Sequence, residues 1–186
     1  VGLQNYNDDQ REHGEQPITY VQYLTTGSFV EAVGENWESE FLQMFAYVLM
    51  TVFLVQKGSA ESKKPDEDEA VDEAPDTNAS GAPWPVRKGG LWLKLYANSL
   101  SLAFLVLFLL AFGLHVVGGA AEYNAEQVAH GQQAIPWVDY LLTARFWFES
   151  LQNWQSEFLA IAAMVVLTIF LRQRGSPESK PVDSPH

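Results

Sequence analysis

The longest apolar run in the chain, Leu91–Val117, constrains the fold more than any other feature. As a helix that rises 1.5 Å per residue it measures about 40 Å, which exceeds the roughly 30 Å hydrocarbon core of a bilayer. We therefore predict a transmembrane helix over 91–117. His115, the only histidine in this run, lies near its end, so we expect it at the membrane interface.

The second constraint is a repeat at an offset of 117 positions. Residues 6–63 align with residues 123–180 without a gap, and 29 of the 58 aligned positions are identical. Two unrelated segments agree at far fewer positions, so we interpret the repeat as an internal duplication. Its best-preserved stretch reads Asn-Trp-x-Ser-Glu-Phe-Leu and occurs at 36–42 and at 153–159.

Repeat 1 is assigned to residues 1–63. A polar loop is followed by an amphipathic helix, in which Phe29, Val33 and Trp37 lie on one face because they are spaced four residues apart. Apolar residues then predominate, and we predict a span at about 37–57.

Repeat 2 is assigned to residues 91–180 and follows the same plan: the span at about 91–117, a loop with an amphipathic helix, and a span at about 154–172. Residues 64–90 separate the repeats and are rich in acids, alanine and proline without apolar periodicity. This composition predicts an acidic, disordered linker. Residues 181–186 form a tail.

The repeat also predicts a further helix. At the same offset, Val1 and Gly2 align with Gly118 and Gly119, which directly follow the span of repeat 2. We therefore expect an all-α, polytopic membrane protein with three spans here and four in the natural product, whose N-terminal helix is absent by truncation or processing. The alternative is that the duplication never included this helix.

The distribution of basic residues predicts the topology. Eight of the 11 lysines and arginines lie at 57–88, in and just before the linker, or at 172–180, near the C-terminus, and the two remaining loops hold only Arg11 and Arg145. Because basic residues are retained on the cytoplasmic side, we expect a multi-pass protein of the cell membrane with a cytoplasmic linker and C-terminus. Loops 4–36 and 120–153 are then extracytoplasmic.

Composition argues against several functions. The net charge of −12 argues against nucleic acid as a partner, since nucleic-acid binding rests on basic residues. The chain has no cysteine, so it has neither disulfides nor thiolate ligands. The sequence also lacks the phosphate-binding, nucleophile and metal motifs. We expect no catalytic residue, no cofactor and no enzymatic activity.

Two histidines, His13 and His130, occupy equivalent positions, and each precedes a glycine. With nearby acids they are weak candidates for a metal site, because imidazole and carboxylate are common ligands. However, no two histidines have the spacing of metal ligands. We favour the other interpretation, that both residues form hydrogen bonds at turns or interfaces.

Paired polar residues lie at the start of two of the predicted spans. In each copy the asparagine and the glutamate lie one helical turn apart and share a face. A glutamate at the membrane edge can titrate and gate a pathway; the simpler interpretation is that it marks where the helix leaves the interface. The four residues are Asn36, Glu40, Asn153 and Glu157.

Three tryptophans near the predicted spans, Trp37, Trp147 and Trp154, suit the headgroup region of a bilayer and are predicted to be interface anchors. The lipid bilayer is thus one expected partner. A membrane protein or a second copy of the chain is another.

The shared motifs resemble a bacterial family of integral membrane proteins, common in actinobacteria, that is catalogued only as a domain of unknown function. The resemblance covers nearly the whole chain outside the linker. It implies an additional N-terminal hydrophobic helix, and it implies no activity, cofactor or catalytic residue. The motifs are Tyr-Asn, His-Gly, Tyr-Leu-x-Thr, Asn-Trp-x-Ser-Glu-Phe-Leu and Gly-Ser-x-Glu-Ser-Lys.

Two functions fit these observations. The favoured one is a non-catalytic membrane protein whose outer loops engage partner proteins or lipid headgroups. The alternative is a small-solute or ion transporter, or a channel-like assembly, that uses the paired glutamates and asparagines at the interface between repeats.

Overall fold

The computed structural model describes residues 1–56, 59–60, 62–63 and 69–184. Over these residues the chain is helical and contains no strand, which confirms the all-α prediction for the described part. The helices are α1 (Gly2–Glu12), α2 (Tyr20–Tyr23), α3 (Gly27–Phe53), α4 (Trp84–Lys88), α5 (Gly90–Ala97), α6 (Ser99–Ala129), α7 (Trp137–Tyr140) and α8 (Ala144–Phe170).

Two helices of the described ranges are long and apolar enough to cross a membrane. They are α6, with 31 residues and a mean hydropathy of 2.6 in its most apolar window, and α8, with 27 residues and a value of 1.4. Only 17% and 6% of these windows is buried within the chain. Their apolar side chains therefore face outward, unlike those of a core helix in a soluble domain, and this favours a membrane protein.

The apolar run 91–117 is not one continuous helix. α5 ends at Ala97, and α6 begins at Ser99. Between them, the Asn98 side chain donates a hydrogen bond to the carbonyl of Lys94 at 2.8 Å. Asparagine interrupts helices in this way because its side chain competes with the backbone for hydrogen bonds. α6 then continues past residue 117 to Ala129, so the loop predicted from 120 onward begins as a helix.

α3 unites the amphipathic helix and the span predicted at 37–57. It runs from Gly27 to Phe53, and its continuous apolar part begins only at Phe41. For that reason α3 is not one of the helices that are long and apolar enough to cross a membrane. Residue 57, the predicted end of this span, lies outside the described part. The span predicted at 154–172 falls within α8, which starts ten residues earlier, at Ala144.

The linker predicted at 64–90 ends in ordered structure. Residues 64–68 lie outside the described part, but α4 forms over Trp84–Lys88. The rings of Trp84 and Trp92 pack edge to face at 5.2 Å, with the Lys88 ammonium 4.8 and 5.0 Å from their centroids. The aromatic ring contact and the cation–π contacts stabilise this segment, which composition alone had assigned to the linker.

Two aligned segments, 7–18 and 124–135, share a local hydrogen-bond pattern. Asn7 accepts from the amide of Ile18 at 2.8 Å and donates to its carbonyl at 3.0 Å. Asn124 makes the same two bonds with Ile135, both at 2.8 Å. In both aligned segments an asparagine thus binds the backbone of the residue eleven positions later.

The chain divides into two compact units that cut across the repeats. Unit 1 consists of Val1–Phe41 and Leu107–Trp154, and unit 2 consists of the described residues of Leu42–Val106 and Gln155–His186. The repeat boundaries at 1–63 and 91–180 therefore stay a prediction. In unit 2, Gln43 donates to the carbonyl of Glu157 at 3.2 Å. The core of unit 1 is formed by Val116, Ala120, Tyr140 and Phe146.

Two glycines allow α3 and α6 to approach closely within unit 1. A Cβ atom on Gly34 would lie 2.8 Å from the Cα of His115, and one on Gly118 would lie 2.9 Å from the Cα of Glu31. No real Cβ atom tolerates such distances, so only glycine permits this backbone contact. The close approach places the acids of α3 beside His115.

Candidate functional site

His115 is the centre of a buried polar cluster in unit 1. Its side chain is completely buried, and its Nδ1 lies 2.8 Å from Oε2 of Glu38, which is also completely buried. Residues of α3 and α8 surround His115, so its side chain faces other parts of the chain, and its position at the membrane interface stays a prediction. Burying ionisable groups is costly unless they are paired, and such groups in apolar helices often mark functional sites.

Glu38 is held on both sides. Its Oε2 contacts His115, and its Oε1 accepts a hydrogen bond from the indole N–H of Trp154 at 3.0 Å. A carboxylate beside Nδ1 favours the tautomer in which Nδ1 carries the proton and donates it to the carboxylate. The other ring nitrogen, Nε2, is then left with a lone pair.

Nε2 lies close to two further glutamates. Nε2 lies 3.5 Å from Oε2 of Glu149 and is buried without a hydrogen-bond partner. Glu31 is the third member, since ligand atoms of Glu31, His115 and Glu149 all lie within 4.8 Å of one another. One imidazole and two carboxylates thus converge on a common point, which is a donor set suited to a metal ion.

Tyr140 and Arg145 position these carboxylates. The buried Tyr140 hydroxyl lies 3.0 Å from Oε2 of Glu149 and 3.4 Å from Oε1 of Glu31. Arg145 donates from Nε to Oε1 of Glu149 at 2.9 Å, lies 3.9 Å from Oε1 of Glu31, and also pairs with Glu126. The two residues bridge α7 and α8 to the acid of α3.

Aromatic rings enclose the cluster on one side. The ring of Phe146 lies 4.7 Å from the His115 ring, and Phe112 packs edge to face against Phe146 at 5.5 Å. Phe146 is completely buried. This apolar wall excludes water and strengthens the electrostatic interactions of the acids and the histidine.

On the other side an open cavity of about 350 Å³ reaches two of the acids. Its lining includes Glu31, Glu35, Glu149, Arg145 and Asn153. Burial, together with the nearby Glu149 carboxylate, raises the pKa of Glu31 to about 7, although Arg145 acts in the opposite direction. Burial likewise raises the pKa of Glu35, whose side chain hydrogen-bonds with Asn153. Both glutamates precede the span predicted at 37–57.

The weak metal candidates, His13 and His130, lie elsewhere. Both are exposed, and each ring donates from Nδ1 to the carbonyl four residues earlier, at 3.0 Å to Asp9 and 2.8 Å to Glu126. They line one open, acidic cavity of about 500 Å³ in unit 1. Among the described residues, the group with metal-ligand geometry includes neither of them.

The paired residues expected to act together are also outside the cluster. Asn36 and Glu40 are exposed, and Asn36 donates to the carbonyl of Ala32 in its own helix at 2.7 Å. Glu157 is half-buried in unit 2. Only Asn153 lies near the cluster, through its hydrogen bond with Glu35.

The three predicted anchors have different environments. Trp37 and Trp147 are 49% and 43% exposed, as side chains at a membrane interface would be, although the Trp147 indole also donates to the carbonyl of Leu141 at 2.9 Å. Trp154 instead directs its N–H to the buried Glu38.

Sequence reasoning missed the acids because it searched for residues present in both copies. Glu31 aligns with Phe148, Glu38 with Gln155, and Glu149 with Ala32, so each acid occurs in one copy only. A signal was nevertheless present: a charged residue that replaces a neutral one at an aligned helical position.

The fold and the cluster define an all-α protein with two helices of membrane length and a buried group of one histidine and several glutamates. The chain belongs to the family described as "Domain of unknown function (DUF6766)", whose model matches residues 1–186. This confirms the resemblance to a domain of unknown function, while the bacterial origin stays an expectation. Neither a curated protein nor a solved structure matches the chain.

Proposed function

We propose that the chain is an integral membrane protein of the transporter or channel class that binds a cation in the buried cluster of unit 1. The observation that carries this proposal is the burial of His115 between Glu38 and Glu149, near the middle of the highly apolar helix α6. Burying ionisable residues in this way is unfavourable in free energy, and such residues usually belong to ion pathways or ion-binding sites.

The charge of the cluster supports a cation as the ligand. The carboxylates of Glu31, Glu38 and Glu149 surround His115, and the guanidinium of Arg145 is the positive group beside two of them. When all three are ionised their formal charge is −3, and Arg145 reduces it to −2. A buried excess of negative charge is unfavourable, so a bound cation stabilises this arrangement.

The membrane arrangement belongs to the same proposal. Three spans lie within α3, α6 and α8 and derive from a duplication, which the 29 identities at one offset and the matching loops of Asn7 and Asn124 support. The linker and C-terminus are cytoplasmic, and loops 4–36 and 120–153 are extracytoplasmic. Reporter fusions in the linker and after Tyr6 that report the same side would contradict this topology.

Lipid engagement by the outer loops is a second candidate function, favoured by exposed apolar side chains of two short helices. In and after α7, Trp137 and Leu142 are 57% and 81% exposed, and in α2, Tyr20 and Val21 are 63% and 74% exposed. Side chains of this kind suit a headgroup region. This function requires no change in the cluster, so substitutions at His115 and Glu38 separate the two candidates.

A flux assay in proteoliposomes tests the cation proposal. Protein reconstituted into vesicles is assayed with protons, monovalent cations and divalent cations, each followed by an entrapped indicator. We expect flux of at least one cation and at least a tenfold loss in Glu38→Gln, which changes the buried charge but little volume. The matched control is Glu40→Gln, on an exposed glutamate of the same helix. Wild-type vesicles without flux, or an equal loss in both variants, would contradict the proposal.

A further inference from the structure

We propose that Glu31, His115 and Glu149 form a binding site for a divalent transition-metal ion of the Fe²⁺, Mn²⁺ or Zn²⁺ type. The inference rests on the proposed function that the cluster binds a cation, and it specifies which class of cation. It differs from that function in concerning equilibrium binding, which does not depend on transport.

The spacing of the donor atoms is close to that of a metal site. Ligand atoms at about 2.1 Å from a metal lie roughly 3.0 to 3.4 Å from one another. Nε2 of His115 and Oε2 of Glu149 are already 3.5 Å apart. Because the three ligand atoms lie within 4.8 Å of one another, Glu31 needs to approach by no more than about 1.5 Å to reach 3.4 Å.

An independent observation also points to a ligand. Nε2 of His115 is a buried polar atom without a hydrogen bond, on a side chain with 0% exposure. Buried polar atoms are nearly always hydrogen-bonded, and an exception calls for a physical explanation such as an ion. Coordination of a metal by this lone pair is such an explanation.

Glu38 prepares the histidine for this role as a positioning residue. Its carboxylate accepts from Nδ1, and its other oxygen is fixed by the indole of Trp154. Histidines that bind metals usually donate their second ring N–H to a carboxylate, which fixes the tautomer and increases the basicity of the ligating nitrogen. The same arrangement is present here.

The remaining contacts leave the ligand atoms available. Arg145 occupies Oε1 of Glu149, so that Oε2 faces His115. The Tyr140 hydroxyl spans the two carboxylates and can keep one of these hydrogen bonds while a metal binds. The cavity of about 350 Å³ borders Glu31 and Glu149 and gives an ion access to the site.

The donor set selects the class of metal. One imidazole nitrogen and two carboxylates suit Fe²⁺, Mn²⁺ and Zn²⁺, whereas Ca²⁺ and Mg²⁺ prefer oxygen ligands alone. Copper(I) favours soft sulfur ligands, which are absent from this site.

Metal binding by the purified protein tests the inference. The full chain is extracted in detergent with an affinity tag that lacks histidine, stripped with a chelator and titrated with Co²⁺ as a spectroscopic probe. We expect one tightly bound Co²⁺ per chain, with visible ligand-field absorption, and its displacement by Zn²⁺. Glu31→Gln and Glu149→Gln are each expected to weaken binding at least 100-fold.

Controls separate this site from other histidines and acids. His130→Ala removes a surface histidine, and Glu40→Gln removes an exposed acid; we expect neither to change the affinity. Glu31 faces the open cavity, so Glu31→Gln tests the site even if substitutions of His115 prevent folding. Absence of stoichiometric Co²⁺, or equal binding by wild type and Glu31→Gln, would overturn the inference.

The two proposals fail in different ways. One metal ion per chain without flux of any cation supports the metal site and refutes the transport function. Flux by protein that binds no stoichiometric Co²⁺ in the titration supports the transport function and refutes the metal site.

Discussion

α3 and α8 carry the same Asn-Trp-x-Ser-Glu-Phe-Leu stretch, yet they contribute differently to the candidate site. α3 supplies Glu31 and Glu38, at positions where α8 has Phe148 and Gln155; α8 supplies Glu149, at a position where α3 has Ala32. Identical aligned residues, such as Asn7 and Asn124, make the same local hydrogen bonds, whereas the buried acids lie at aligned positions that differ. The charged residues of the candidate site therefore lie at positions where the aligned segments differ.

The largest expected effect concerns the helix contact beneath the cluster. Gly34 touches the backbone of α6 at His115, whereas its aligned residue, Leu151, is 54% exposed. We expect Gly34→Leu to cost about 3 kcal/mol or more through overpacking, and to prevent stable folding. Leu151→Ala should change stability by no more than about 0.5 kcal/mol. Thermal unfolding followed by size-exclusion chromatography measures both, and equal effects would refute the proposed difference between α3 and α8.

A smaller effect is expected at the positioning carboxylate. Glu38→Gln keeps the size of the side chain but removes the negative charge beside Nδ1, and we expect metal affinity to fall by about 10- to 100-fold. The matched change at the aligned position, Gln155→Ala, should leave affinity unchanged. The Co²⁺ absorption spectrum provides a second readout, because an altered histidine ligand shifts it. An unchanged metal affinity and spectrum in Glu38→Gln would show that Glu38 does not position His115 for metal binding.

The smallest expected effect is the pH dependence that Glu35 contributes. Its pKa in the folded protein is raised above the usual 4.5, so the folded state holds the proton more tightly than the unfolded state. Stability therefore falls as pH rises from 4.5 through the raised pKa. Above that pH range we expect the metal-free Glu35→Gln variant to have an unfolding temperature a few degrees higher than that of metal-free wild type. At pH 4 we expect the difference in unfolding temperature to be smaller. A difference that grows toward low pH would have the wrong sign.

The sequence allowed much of the architecture to be predicted. The apolar runs predicted three spans, and the described residues contain two helices of membrane length, α6 and α8. The break at Asn98 and the extension of α6 to Ala129 were missed. Both depend on contacts, because the asparagine bonds to its own helix and the glycines after residue 117 are packed against α3 and Tyr140.

The site was less predictable than the fold. His115 was noted, but its burial follows from the close approach of α3 at Gly34 and Gly118, a contact between residues about 80 positions apart. No spacing rule along one helix connects Glu38 with His115 or His115 with Glu149. These pairs form only when three helices pack together, and periodicity describes one helix at a time.

The most direct test of the account is the Co²⁺ titration of chelated, full-length protein beside its Glu31→Gln variant. The account predicts one Co²⁺ per wild-type chain, with a ligand-field spectrum, and at least 100-fold weaker binding by the variant. Wild-type protein that binds no stoichiometric Co²⁺, or a variant that binds it equally well, would contradict the claim that the buried histidine and glutamates form a metal site.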